Sequence, residues 1–338
     1  MTLPCLITLR KLVRDYVRIW RFRPVHVTLS ACLWGLFFPA LAHANWKTSR
    51  ENLDERHTVG EIRIHYARQG KDAVGNPSKI QRLAEQFSRA NTFYADTLGL
   101  TPSTKNIRYS GLQSIDVHVL KMEDAMGTAG DAKVTYRYKA LDDHKPSLTI
   151  SLSSRWEPGN RTPEHELFHS YQYGYTFFKN PWYLEGMARA MQGAFETKPY
   201  RTATLPQTGE QLQALMGRSY GASTFWNRLM MLCDQSCAVP VNSASTAIEF
   251  RPLSGPMCGG GMIKTVLEKF REQDGKAAKA RKLDVKNWPE DEQRAEINNP
   301  WILAGLTDAM TQHCPIKSNV ELTKFHDAAQ ELSKGLRN

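Results

Sequence analysis

Apolar and polar residues alternate along three short stretches of the chain. Glu61-Ile-Arg-Ile-His-Tyr66, Ile115-Asp-Val-His-Val-Leu120 and Ser147-Leu-Thr-Ile-Ser-Leu152 share the two-residue period of a half-buried strand. Between the first two, Ile80, Leu83, Phe87, Ala90 and Phe93 recur at helical spacing. This predicts a helix over 78–98, with Gly99 where a C-cap belongs. Gly127-Thr-Ala-Gly-Asp131 reads as a turn-rich connection. Beyond residue 162 the pattern turns helical, with candidate helices at 162–173, 183–194, 208–217, 221–233, 262–272 and 319–335. Pro158-Gly159-Asn160 separates the two regions, and Thr162-Pro163 opens a helix in the order cap, then first-turn proline. The expected fold class is α+β: a small twisted sheet with a long helix over 45–160, then a mainly helical subdomain over 161–338.

The first 44 residues stand apart. Arg10, Lys11, Arg14, Arg18, Arg21 and Arg23 precede an apolar run from Val27 to Leu41, and Ala42-His43-Ala44 closes it. That is the layout of a signal peptide cleaved after Ala44. An uncleaved anchor, and a lipoprotein box at Leu29-Ser-Ala-Cys32, are the competing readings. Export to the periplasm or the medium is expected, with no membrane span left in the mature chain. The formal charge of +10 loses six cations and one anion with this leader and becomes +5, which does not point to nucleic acid. The basic residues over 271–286 lie among acidic ones and read as a solvated helix face. Cys233, Cys237, Cys258 and Cys314 remain, an even number that suits two disulfides in any of three pairings.

The chemistry is concentrated in Thr162-Pro-Glu-His165-Glu166-Leu-Phe-His169-Ser170. On a helix, residues four apart project from one face, so both imidazoles can meet one ion. Glu166 follows the first histidine and can reach a water held there without being a ligand itself. Leu167 and Phe168 can bury the opposite side. A second helix near Trp182-Tyr-Leu-Glu185-Gly186-Met-Ala188, returning antiparallel, brings Glu185 back beside the histidines. This supplies a third ligand and leaves a fourth position open.

The residues His165-Glu-Leu-Phe-His169 followed by Leu184-Glu-Gly-Met-Ala188 resemble the gluzincin branch of zinc metallopeptidases, a likeness whose specific part covers 162–190. It implies a zincin-like fold, one zinc ion on His165, His169 and Glu185, Glu166 as general base, and a peptide or protein substrate. In such folds a substrate-aligning edge strand precedes the motif helix, and 147–152 is the candidate. Two departures stand out. The gap from His169 to Glu185 is shorter than in thermolysin-like enzymes, and Arg189 stands where those enzymes carry an Asp that orients a histidine. Tyr220, in Ser219-Tyr-Gly-Ala-Ser-Thr-Phe-Trp226, is the candidate oxyanion donor, ahead of His313. The expectation is an exported zinc metallopeptidase. The alternative is a non-catalytic protein that binds peptide or cell-wall material in the same cleft, and hydrolysis of another amide uses the same residues.

Overall fold

The computed structural model describes residues 50–142, 145–196, 201–234, 257 and 259–335. The expected leader lies outside these, as do Cys237 and Cys258. The described residues belong to one compact unit.

The architecture is α+β. Five strands, β1 (Glu55–Val59), β2 (Ile62–Tyr66), β3 (Ile115–Leu120), β4 (Gly127–Ala129) and β5 (Leu148–Ser153), form one sheet in the order β1-β2-β3-β5-β4. β2, β3 and β5 run parallel, while β1 and β4 close the two edges antiparallel. Two expectations change here. The segment at 127–131 contributes a strand, and 148–153 is an interior strand, so the edge that precedes the motif helix is β4. Glycine-rich sequence obscures β4, because three residues paired on one side carry no period of their own.

One sheet face is apolar. Ile62 and Ile64, Ile115 and Val117, and Leu148 and Ile150 join the main core with α1 (Ser78–Thr92) and α2 (Thr162–Tyr175). The predicted first helix continues past Thr92 as a π-helical turn to Thr97, and Gly99 takes a left-handed φ of 64° just beyond. The opposite sheet face is polar but also buried, against the half-buried expectation. There Arg63 makes paired bonds of 2.6 and 2.9 Å to Asp116, and Ser147 and Tyr138 donate to the same carboxylate. His65 stacks on the Tyr138 ring at 4.2 Å, and His118 bonds the Tyr138 hydroxyl at 2.8 Å. Burial pushes the Asp116 carboxyl up, but the bonds from His65 and Arg63 outweigh it and hold it well below the ordinary range.

The rest is helical: α3 (Pro181–Gly193), α4 (Gly209–Met216), α5 (Ser223–Cys233), α6 (Gly261–Arg281), α7 (Glu290–Arg294), α8 (Asn299–His313) and α9 (Val320–Gly335). α8 escaped the pattern reading because it is buried almost all round, so its apolar residues show no stripe. α6 is longer than expected, and its cations are not simply solvated. Arg271 caps the carbonyls of Gly174 and Tyr175 at the end of α2, and Arg281 bonds Asn298 at 2.7 Å. A disulfide joins Cys233 at the end of α5 to Cys314 after α8. Among the described residues no helix is long and apolar enough to cross a membrane.

Candidate metal centre

α2 carries both histidines and Glu166, and it is buried along nearly its whole length. Its core side is anchored by Phe168, edge-on to Tyr94 at 5.1 Å, and by Glu164, which accepts from Gln86 Nε2 at 2.5 Å. The helix ends where cations take its last carbonyls: Arg108 bonds Tyr173 O and Thr176 O, beside the contacts from Arg271. A loop over 176–180 then reverses the chain. Asp274 accepts from Phe177 N at 2.9 Å, and Gln293 O accepts from Lys179 N at 2.8 Å. Asn180-Pro181 starts α3 with proline in the first turn, and Trp182 Nε1 ties that turn to Asn299 at 2.8 Å. The return is antiparallel to α2, and it sets Glu185 against the two imidazoles.

Glu185 Oε2 lies 3.1 Å from His165 Nε2 and 3.3 Å from His169 Nε2. One ligand atom from each of the three lies within 4.8 Å of the others, and they are the group of His, Cys, Asp and Glu able to hold a metal ion among the described residues. The protonation of the trio follows from these contacts. Burial pushes Glu185 up, but the bonds from both histidines outweigh it and hold the carboxyl well below its ordinary range. Burial lowers His165, and the neighbouring His169 adds to this against the pull of Glu185. For His169 burial also lowers, yet Glu185 and Glu166 together carry the ring above its ordinary value.

The fit to a metal rests on one hydrogen bond. His169 Nδ1 lies 2.8 Å from Gln172 Oε1, so the neutral ring turns the lone pair of Nε2 towards a carboxylate oxygen. Two acceptors facing each other at that distance need a cation between them, a proton or a metal. The residues present fit a metal.

Glu166 stands beside the trio. Burial, and then the charge of Glu185, push its carboxyl up to about 7, against His169 and a hydrogen bond from the backbone N–H of Ala129. That bond comes from β4, and the strand approaches closely because residue 127 is glycine. A Cβ there would lie 2.4 Å from Thr162 Cγ2 and 2.9 Å from Glu166 Oε1. Gly186 does similar work on the other side. A Cβ on it would meet that of Ala222 at 2.7 Å, so the turn at Tyr220–Ala222 packs directly on α3. The turn carries Tyr220 over the site, with ring centroids of Tyr220 and His165 5.6 Å apart. Tyr220 is 56% exposed. Its hydroxyl is pushed up to about 12 by partial burial and by the charges of Glu185 and Glu166.

A cleft of about 740 Å³ opens in front of His165 and Glu166. Its walls are Asp124 to Gly127 leading into β4, Gly159 to Thr162 leading into α2, and Arg189, Gln192, Glu196 and Tyr220. No protein-family profile, curated protein or solved structure matches the chain.

The structure thus brings together all five residues singled out in the sequence: His165, Glu166, His169, Glu185 and Tyr220. His313 is not with them; it bonds Thr265 on α6 at 2.7 Å. Arg189 faces the cleft and pairs with Glu196 at 2.8 Å, not with a histidine. Gln172, Gln192 and Gly127 were missed. Only Gln172 carried a signal, since residue 172 lies one turn beyond His169 on the same helix.

Proposed function

We propose that the chain is a zinc-dependent peptidase of the gluzincin kind, with His165, His169 and Glu185 as ligands and Glu166 as general base. One observation carries the reading: two imidazole nitrogens and a carboxylate oxygen within 4.8 Å, next to a second buried carboxyl on the wall of an open cleft. Two imidazoles and one carboxylate are a donor set of catalytic zinc, which keeps its fourth position for water or substrate. The chemistry such an ion supplies is Lewis acidity towards a carbonyl and acidification of water.

The protein's own groups do the rest. Glu166, with its carboxyl near 7, can take a proton from attacking water and deliver it to the leaving amine. Tyr220, beside His165 at the cleft wall, is the donor for the oxyanion. β4 takes the aligning role expected of 147–152. Among the described residues no strand lies beside its outer edge, and an extended peptide pairing there would cross in front of Glu166. The Cys233–Cys314 bridge suits an oxidising compartment and supports a periplasmic or secreted location.

The test is bound zinc in the purified, reconstituted protein, wild type beside Glu185→Ala, followed by a peptide-library digest. About one zinc per chain in the wild type and strong loss in the variant are expected. Hydrolysis should fall in Glu166→Gln by at least about 100-fold. Full zinc in Glu185→Ala would remove that residue from the site. No zinc in a folded wild type would remove the metal reading. Zinc without hydrolysis would leave the peptide- or cell-wall-binding protein.

A further inference from the structure

Metal-binding imidazoles need a partner on the nitrogen that faces away from the ion, because that partner decides which nitrogen is free to bind. His169 has one. Its Nδ1 is 2.8 Å from Gln172 Oε1. The other end of this amide is committed: Gln172 Nε2 donates to Leu184 O at 3.1 Å, and a carbonyl can only accept. The atom facing His169 is therefore the amide oxygen, and His169 must donate to it through Nδ1–H. Gln172 is buried, so water offers no alternative. Leu184 immediately precedes Glu185. One side chain thus orients a ligand on α2 and grips the backbone of α3 beside the third ligand.

His165 differs: its Nδ1 is buried and makes no hydrogen bond. The amide of Gln192, two turns beyond Glu185 on α3, donates instead to Glu196 Oε1 at 3.2 Å.

We propose that Gln172 is a positioning residue that locks His169 as the Nδ1–H tautomer, so that the ring presents Nε2 to Glu185 and to the ion between them. The role of the ion rests on the zinc reading above; the tautomer does not. A neutral amide stands behind this ligand, and no extra negative charge is buried there.

The tautomers are read in the metal-free protein by long-range ¹⁵N–¹H correlation of the imidazoles at alkaline pH, where the rings are neutral. Zinc affinity is read separately by competition with a chromogenic chelator. The wild type should show Nδ1–H at His169. Gln172→Leu should give a mixture at His169 and weaken zinc by about 10- to 100-fold. Gln172→Glu, which can still accept from Nδ1–H, should keep the tautomer. If Gln172→Leu does not fold, the wild-type tautomer and Gln172→Glu carry the test. An Nε2–H ring at His169 in the wild type, or a Gln172→Leu variant that shifts neither tautomer nor affinity, overturns the proposal. A locked Nδ1–H tautomer in a protein that takes up no zinc upholds the lock and sinks the zinc reading, so the two failures are told apart.

Discussion

Replacing Glu166 by glutamine should make the metal-free protein more stable, and the gain should depend on pH in a defined way. The carboxyl is buried, and its pKa rises from the ordinary 4.5 to about 7 in the fold. The folded state therefore prefers the neutral acid. Below pH 4.5 the group is protonated folded and unfolded, and it costs nothing. Between 4.5 and 7 the unfolded chain ionises first, so stability falls as pH rises. Above 7 the cost is complete, at about 3 kcal/mol. Glutamine has the same shape, keeps an oxygen for the Ala129 N–H, and places no second anion beside Glu185. Urea unfolding followed by tryptophan fluorescence, in chelator, should give Glu166→Gln an advantage of roughly 1–3 kcal/mol above pH 7. The advantage should shrink towards zero as the pH approaches 4.5. A variant no more stable than the wild type at alkaline pH would refute the reasoning, and so would a gain that ignores pH. The expected result is a carboxyl kept in the candidate site against the stability of the fold.

Two further outcomes follow from the same geometry. Gly127→Ala should push β4 away from Thr162 and Glu166 by about 1 Å and lower peptide hydrolysis by about 100-fold, with zinc content unchanged; an unaltered kcat/KM would show that the close approach is irrelevant to the base. Paired Cys233→Ser and Cys314→Ser substitutions open a closure spanning 81 residues and should cost up to about 4 kcal/mol in denaturant unfolding; a loss under about 1 kcal/mol would mean that the bridge adds little to the packing of α5 against the helices around it.

Much of the site was written in local spacing. His165 and His169 share a helix face because they are four apart, and Glu166 follows from being next to the first. The five-residue loop over 176–180 makes α3 return, so Glu185 was within reach of sequence reasoning. Strands β2, β3 and β5 announced themselves by alternation, and α1 and α9 by their apolar stripes. Tyr220 was placed at the start of a helix, and it packs there as the turn before α5. These features depend on residues near one another in the chain, where the period of the backbone dictates which side chains share a face.

What the sequence left open depends on contacts between distant residues. The burial of the polar sheet face under Tyr138, the strand at β4 and its place at the sheet edge, and the choice of Cys314 for Cys233 have no local period to reveal them. α8 stayed hidden for the opposite reason: its apolar residues cover nearly every side, because neighbours surround most of it. The chemistry of the site divides in the same way. The types of its candidate ligands are local, but the raised pKa of Glu166, the Gly127 contact and the amide behind His169 arise only when α2, α3 and β4 meet. Burial, charge proximity and hydrogen-bond direction are properties of that meeting, so tertiary structure alone decides them.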